Sequence, residues 1–482
     1  MSPPHPGIPR PTTRRQLLRA VMAASAYGAA SRLGLPSIAH AAAAQASSRR
    51  FVFAYFPGGW DQLLFLDPRD SKAEGGRYDD ANRSATLTET RYATLDGHNG
   101  FSSELVRAGN LVFGPATEKP GAPGPRLSKY HDRIAIVRGI NMNTLGHEIG
   151  YRYFLTAKFP VGVSARGTSL ATECAAQLHS TAALPALALR VEAYNDRHPG
   201  AYSAMRVDSI DDLLLVLERG KDQLERDAVE EALGAYARDA APCEVNVFDR
   251  RGLLSRMRGA DSAVRATLAA RLGDRFRFVT GTDPESERVR ARYGIGRGDA
   301  GSPGARAALA AQAIKQGVAQ CVSLMIGNGT DTHNVGNPQH ADALYPGIAA
   351  LTALIDDLAS SDAPEELARR GGGKWLDHTT ILAFSEFSRT PLFNPFGGRD
   401  HHLSSSCLLA GAGIAGDRVV GASGAVGMGP GRYDFQAGAV VPEGGENIQP
   451  EHIASTLLAS AGLDASVFRS RPIDALLRVS SR

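Results

Sequence analysis

Arg50-Phe51-Val52-Phe53-Ala54-Tyr55-Phe56 is stopped by Pro57-Gly58-Gly59 and followed by Trp60-Asp61. A β-branched and aromatic run closed by a Pro-Gly-Gly turn predicts a buried strand ending in a tight turn. Working outward, three more apolar runs have the same character: Ile134-Ala135-Ile136-Val137, Val322-Ser323-Leu324-Met325-Ile326 and Thr380-Ile381-Leu382-Ala383-Phe384. Helical spacing separates them, over Glu148 to Thr156, Leu170 to His179 and Ala341 to Leu358, with a helix entry at Asn141-Met142-Asn143-Thr144 and a last amphipathic helix from Glu451 to Ala461. Strands alternating with helices predict an α/β fold, a mostly parallel sheet covered on both faces.

The remaining stretches are less regular. Residues 67–125 are polar and rich in Gly and Pro, which predicts long loop with short elements, and the Gly-rich stretch 410–431 predicts loop and short strand. Residues 207–292 shift to charged, helical composition and read as a helical insertion or cap.

The chain starts with a different kind of segment. Thr13-Arg14-Arg15-Gln16-Leu17-Leu18-Arg19 precedes a moderately apolar run, Ala20 to Ala30, and small-residue triplets follow at Ala39-His40-Ala41 and Ala42-Ala43-Ala44. An arginine pair before a weakly hydrophobic run closed by such triplets is a processing signal. A membrane anchor fits poorly, because Ser25, Gly28 and Ser31 dilute the run and Arg32 interrupts it before the roughly 20 apolar residues that a span requires. Residues 1–46 are therefore expected to be a twin-arginine signal peptide, removed on export. The expected partner is the twin-arginine export machinery, the expected location periplasmic or secreted, and no membrane span is expected after processing.

Composition excludes one class of partner. With a formal net charge of +3 and 21% charged residues, no basic field suited to nucleic acid is present. The four cysteines, Cys174, Cys243, Cys321 and Cys407, are widely separated and lack the close pairing of zinc ribbons or redox motifs, so free buried thiols are expected. By length alone, residues 47–482 form two or three ordinary domains or one large α/β domain with insertions.

In parallel α/β sheets ligands collect beyond the carboxyl ends of the strands. Asp61 follows the first run; Asp331 and His333 follow the third; Glu386 follows the fourth; Asp400, His401 and His402 lie shortly beyond. Carboxylates and imidazoles are the ligand set for zinc, manganese or, with more oxygens, magnesium and calcium, so a divalent metal ion is the expected cofactor. Singly, an Asp after a turn reads equally as a helix cap, and a lone His as a structural hydrogen bonder. Their recurrence at successive strand ends is what points to an ion.

Phe56-Pro57-Gly58-Gly59-Trp60-Asp61, Asp331-Thr332-His333, Ser385-Glu386-Phe387-Ser388-Arg389-Thr390 and Gly398-Arg399-Asp400-His401 together resemble the family catalogued as domain of unknown function 1501. Ser388 stands where that family usually has Gly. The family resembles, more remotely, the sulfatase and alkaline phosphatase superfamily. The resemblance implies a three-layer α/β/α sandwich, alkaline-phosphatase-like, spanning residues 47–482 with the helical insertion at about 207–292. It implies Asp61, Asp331, His333, Glu386 and His401 as metal ligands, and Asp400, beside His401 in a Gly-adjacent loop, is a further candidate ligand from the pattern of acids and histidines. The resemblance also implies that the stretch from Ile453 to Leu458 resembles the helix closing sulfatase domains.

The superfamily's nucleophile position falls on Asn143-Thr144-Leu145-Gly146-His147. Thr144 is then a candidate nucleophile or a helix N-cap, and His147 a ligand, a general acid or a packed helix residue. Cys174 lies inside a predicted helix without the sequence context of a sulfatase nucleophile. Arg138 and Arg389 are candidate oxyanion clamps or structural ion-pair partners. The expected activity is metal-dependent hydrolysis of a small anionic phosphate or sulfate ester. The alternative is a non-catalytic binding or assembly protein of the cell envelope on the same fold with a degenerate site.

Overall fold

In the computed structural model, which describes residues 48–217 and 272–478, eight strands form one sheet. They are β1 (Arg50–Tyr55), β2 (Ile134–Asn141), β3 (Leu184–Leu189), β4 (Met205–Val207), β5 (Ala319–Met325), β6 (Thr379–Phe384), β7 (Ser404–Gly411) and β8 (Arg418–Val420). Their order across the sheet is β8-β2-β7-β6-β1-β5-β3-β4. Strand β7 runs antiparallel to both of its neighbours, β2 and β6, and the other pairings are parallel.

Period-2 alternation divides the strand residues between two faces. Val52, Ala54, Val322, Leu324, Ile381 and Ala383 pack on one side against α3 (Pro303–Lys315) and α4 (Asn337–Ser360). Phe51, Phe53, Tyr55, Cys321, Leu382 and Phe384 pack on the other against α1 (His147–Thr156), α2 (Leu170–Gln177) and α5 (Pro450–Ser460). Both faces are thus covered by helices, which is why β1, β5 and β6 read as continuous apolar runs rather than alternating ones. Truncating a core ring such as Phe53 to Ala would cost about 3–5 kcal/mol.

Several expectations need adjustment. The second strand continues to Asn141, so the helix entry expected at Asn141–Thr144 moves downstream: Gly146 is the N-cap and His147 the first helical residue. Val207 ends edge strand β4 rather than opening a helical insertion. Within the described part of that insertion, helices occupy Ile210–Leu217 and Pro284–Tyr293. Residues 218–271 lie outside the described residues, as do the expected signal peptide and Cys243. Cys174, Cys321 and Cys407 are buried and free. No helix among the described residues is long and apolar enough to cross a membrane.

Candidate metal centre

The turn after β1 sets the geometry. Gly58 adopts φ +101°, and a Cβ there would lie 2.5 Å from the backbone nitrogens of Thr330 and Asp331, so only glycine lets the β1 turn sit directly on the loop after β5. The Gly58 N–H donates to Glu386 Oε1 at 2.7 Å, joining the end of β6 to the same turn. Adjacent parallel strands β5, β1 and β6 thereby deliver their following residues to one place. His401 arrives from a two-residue strand, His401–His402, paired antiparallel with Ser388–Arg389.

Three imidazoles surround Asp331 Oδ1 there. His333 Nε2 is 3.1 Å from it, His147 Nε2 3.4 Å and His401 Nε2 3.8 Å. Each ring is fixed from behind through Nδ1: His147 by Glu386 Oε1 at 2.7 Å, His333 by Asp400 Oδ1 at 2.9 Å, and His401 by the Leu145 carbonyl at 2.6 Å. Carboxylate and carbonyl oxygens only accept, so every Nδ1 carries the proton and the Nε2 lone pairs face inward. A second partner that fixes tautomer and ring orientation is the recurrent setting of metal-bound histidine. Among the described residues, His147, Asp331 and His401 form the one group of metal-competent side chains, their ligand atoms all within 4.8 Å of one another.

This arrangement would accept a cation. His333 Nε2 and His401 Nε2 are 2.9 Å apart, a hydrogen-bond distance between two nitrogens whose protons are committed elsewhere. Arg389 Nη1 already donates to His333 Nε2 at 3.3 Å, so a proton between the rings would make His401 an imidazolium. Burial disfavours that charge and holds the His401 pKa below the usual histidine value, with nearby Arg389 adding to the effect. His147 Nε2 is buried without a hydrogen-bond partner. A divalent ion would satisfy the Nε2 atoms of His147 and His401 at once, and would take that of His333 in place of the Arg389 N–H.

The hydrogen bond that His147 donates to Glu386 raises the His147 pKa. Burial alone would raise Asp331, but the Arg389 guanidinium, donating from Nη2 at 2.7 Å, outweighs it and holds the carboxyl below its usual range. Asp400 is likewise lowered, first by its bond to His333.

The sequence-derived candidates sort accordingly. Asp331, His333, His401 and His147 converge through their own ligand atoms, and Glu386 and Asp400 stand behind two of the rings. Asp61 is placed apart: it is buried, its Oδ1 accepts from the Leu63 N–H at 2.9 Å, and its Oδ2 lies 2.9 Å from Arg399 Nε. Thr144 Oγ1 accepts from the Gly146 N–H at 3.0 Å in the loop before α1, so it is not the N-cap of that helix. Arg389 spends all five donors, on the carbonyls of Gly58, Gly59 and Arg399, on Asp331 and on His333. It pins loops together and offers no free fork to an oxyanion. Arg138 donates to the carbonyls of Leu66 and Val112 and lies 3.4 Å from Asp67. His402 turns aside to the Gly427 carbonyl.

Sequence reasoning missed two contributors. His340, in the first turn of α4, accepts the Asp61 N–H at 2.9 Å, and burial drives its pKa down to about 4, so it serves as a neutral acceptor. Asn394 donates to both the His333 carbonyl and Asp400 Oδ1, locking one ligand to its supporting acid. Neither has a motif: an Asn in a loop and a His opening a helix carry no distinguishing spacing.

No curated protein matches this chain. Residues 48–465 match the family model described as Protein of unknown function (DUF1501), and the chain belongs to that family.

Proposed function

We propose that this chain is an exported protein that binds a divalent metal through His147, His333, His401 and Asp331, and that it hydrolyses small phosphate or sulfate esters in a metal-dependent way. One observation carries the metal: three imidazoles with their Nδ1 protons committed and their Nε2 atoms grouped about one carboxylate oxygen. Three nitrogens and one oxygen suit zinc better than magnesium or calcium, which take mostly oxygen. A divalent ion held there would supply a Lewis acid for an ester oxygen. The chain's own part is to orient the rings through Glu386, Asp400 and the Leu145 carbonyl. Asp331, with a side chain 53% exposed, leaves the cluster open to solvent on one side. The arginine pair ahead of a small-residue cleavage region supports export, and the sequence resemblance to sulfatases and alkaline phosphatases supports the ester chemistry.

A specific observation favours the second reading, a non-catalytic metal-binding protein of the cell envelope: the Arg389 donors are fully engaged and the Thr144 hydroxyl is tied to the loop backbone. Elemental analysis of protein from metal-replete cells, followed by aryl phosphate and aryl sulfate assays, separates the readings. Absence of bound metal sinks both. Metal without turnover leaves the binding protein. Turnover lost in His401→Ala but retained in Thr144→Ala supports hydrolysis without covalent catalysis by Thr144, whose replacement should cost only about 0.5–1.5 kcal/mol of stability. Turnover abolished by Thr144→Ala with metal content intact would instead identify it as a nucleophile.

A further inference from the structure

Downstream of α1 the chain runs Lys158-Phe159-Pro160-Val161-Gly162-Val163-Ser164-Ala165-Arg166. Val161 and Ser164 exchange both backbone hydrogen bonds, at 3.1 and 3.0 Å, closing a two-residue hairpin turn. Gly162 takes φ +57° at the first central position, as the tight hairpin turns require. The turn is held against α1 by Arg152, which donates to the Val163 carbonyl. Tyr153 supports it from beneath, its ring meeting Phe159 edge-on at 5.1 Å. This ordered tip nevertheless turns apolar side chains to solvent: Phe159 is 41% exposed, Val161 65% and Val163 58%.

A turn closed by its own hydrogen bonds that presents three apolar side chains to solvent has the form of a contact surface. Three side chains are far too few for a stable protein interface, which needs about 800 Å² from each partner. A lipid surface has no such requirement, since apolar side chains enter the acyl boundary while cations stay among the headgroups. The flanks have that pattern. Glu148 and Glu192 neutralise Arg152, whereas Lys158 and Arg166, one on each side of the tip, have no ion pair among the described residues. We propose that the 158–166 hairpin is a membrane-surface anchor that inserts Phe159, Val161 and Val163 into a lipid interface and engages anionic headgroups through Lys158 and Arg166. Contact is reversible, because a single short tip buries little apolar area. It is independent of the metal centre.

Vesicle co-sedimentation of the intact protein tests this, using phosphatidylcholine vesicles and vesicles of phosphatidylcholine mixed with an equal amount of phosphatidylglycerol. Wild type should pellet with the anionic vesicles and release at high salt. The double variant Val161→Asp, Val163→Asp should stay in the supernatant while keeping the wild-type circular dichroism spectrum. Lys158→Gln with Arg166→Gln should weaken binding to the anionic vesicles by about fivefold per charge and leave binding to the neutral ones unchanged. Because every version shares one N-terminus, that segment cancels from the comparison. Wild type that fails to pellet, or Asp variants that pellet as well as wild type, would overturn the proposal. So would sedimentation velocity showing the tip holding two copies together with no vesicle binding.

Discussion

Glu386→Gln removes the charge behind His147 with the least change of side-chain shape. Glu386 Oε1 accepts from His147 Nδ1 and the Gly58 N–H, both at 2.7 Å, and Oε2 faces the Ser385 hydroxyl at 2.9 Å. In the variant, the amide oxygen keeps the first two bonds. The new amide N–H group points at Ser385 Oγ, whose own proton already has an acceptor in the Phe56 carbonyl at 2.7 Å. The buried amide carries a second N–H, and the Tyr55 hydroxyl, which also bonds the Glu386 carboxylate, must find a new acceptor, so metal-free stability should fall by about 1–3 kcal/mol. What is lost is the anion that makes His147 a better ligand.

Removing such outer partners typically weakens metal affinity tenfold to a hundredfold. The Glu386 side chain is 1% exposed and its bond to His147 short, so little solvent screens it, and the effect should lie near the hundredfold end, about 2.7 kcal/mol. A chromophoric chelator competing for zinc at neutral pH reads the change directly. Thermal denaturation reads it a second way. At an ion concentration a hundred times the wild-type Kd, the ion stabilises wild type by about 2.7 kcal/mol, and the variant by only about 0.4 kcal/mol. Equal zinc affinity in wild type and Glu386→Gln, with both folded, would refute the claim that Glu386 acts through His147 on an ion.

Two further predictions concern stability and export. Asp357 is buried among Lys315, Arg292 and the Tyr293 hydroxyl; burial would raise its carboxyl pKa, but Lys315 and its other partners hold it below the usual range. Its contribution is therefore present above the unfolded aspartate pKa of about 3.9 and disappears as pH falls through the lower folded value; Asp357→Ala should cost about 3–5 kcal/mol at neutral pH, and an unchanged urea midpoint would show the network to be dispensable. Replacing Arg14 and Arg15 with Lys should leave full-length precursor in the cytoplasm, visible by fractionation and blotting, and normal processing of that variant would reject the twin-arginine assignment.

The central strands were legible because both of their faces are buried: β1, β5 and β6 have unbroken apolar runs that a half-exposed strand would lack. Strand β7 was not. It opens Ser404-Ser405-Ser406 and ends at Gly411, with a register shift between Ser405 and Cys407, and three consecutive hydroxyl side chains leave no hydrophobic period to read. Strand β3 begins with Leu184-Pro185 and apart from that proline is all alanine and leucine, a composition equally at home in a helix. At the site, the residue types at the strand ends were readable, but their roles were not. Asp61, Glu386 and Asp400 follow strands or flank histidines just as Asp331 does; only the fold shows which carboxylate oxygen meets the imidazoles, which ones orient them, and which is bound to Arg399.

The charges in the cluster give the last reason to expect a cation at this site rather than an anion. Asp331, Glu386 and Asp400 are carboxylates and Arg389 is the one guanidinium among them, so with all three rings in the neutral form that binds a metal two negative charges remain. Within a partly enclosed site a net charge of this size is costly, because water screens it incompletely. A free phosphate or sulfate ester entering such a field would be repelled. A divalent ion neutralises it, and only then does the exposed side of Asp331 become a place where an anionic ester can bind. The order of events follows: in the proposed hydrolase the metal must load first, and ester binding to metal-free protein should be undetectable by calorimetry at concentrations where the loaded protein binds. Binding of equal strength in both forms would mean that the anion is held by some other set of residues, and that the histidine cluster is not where the ester sits.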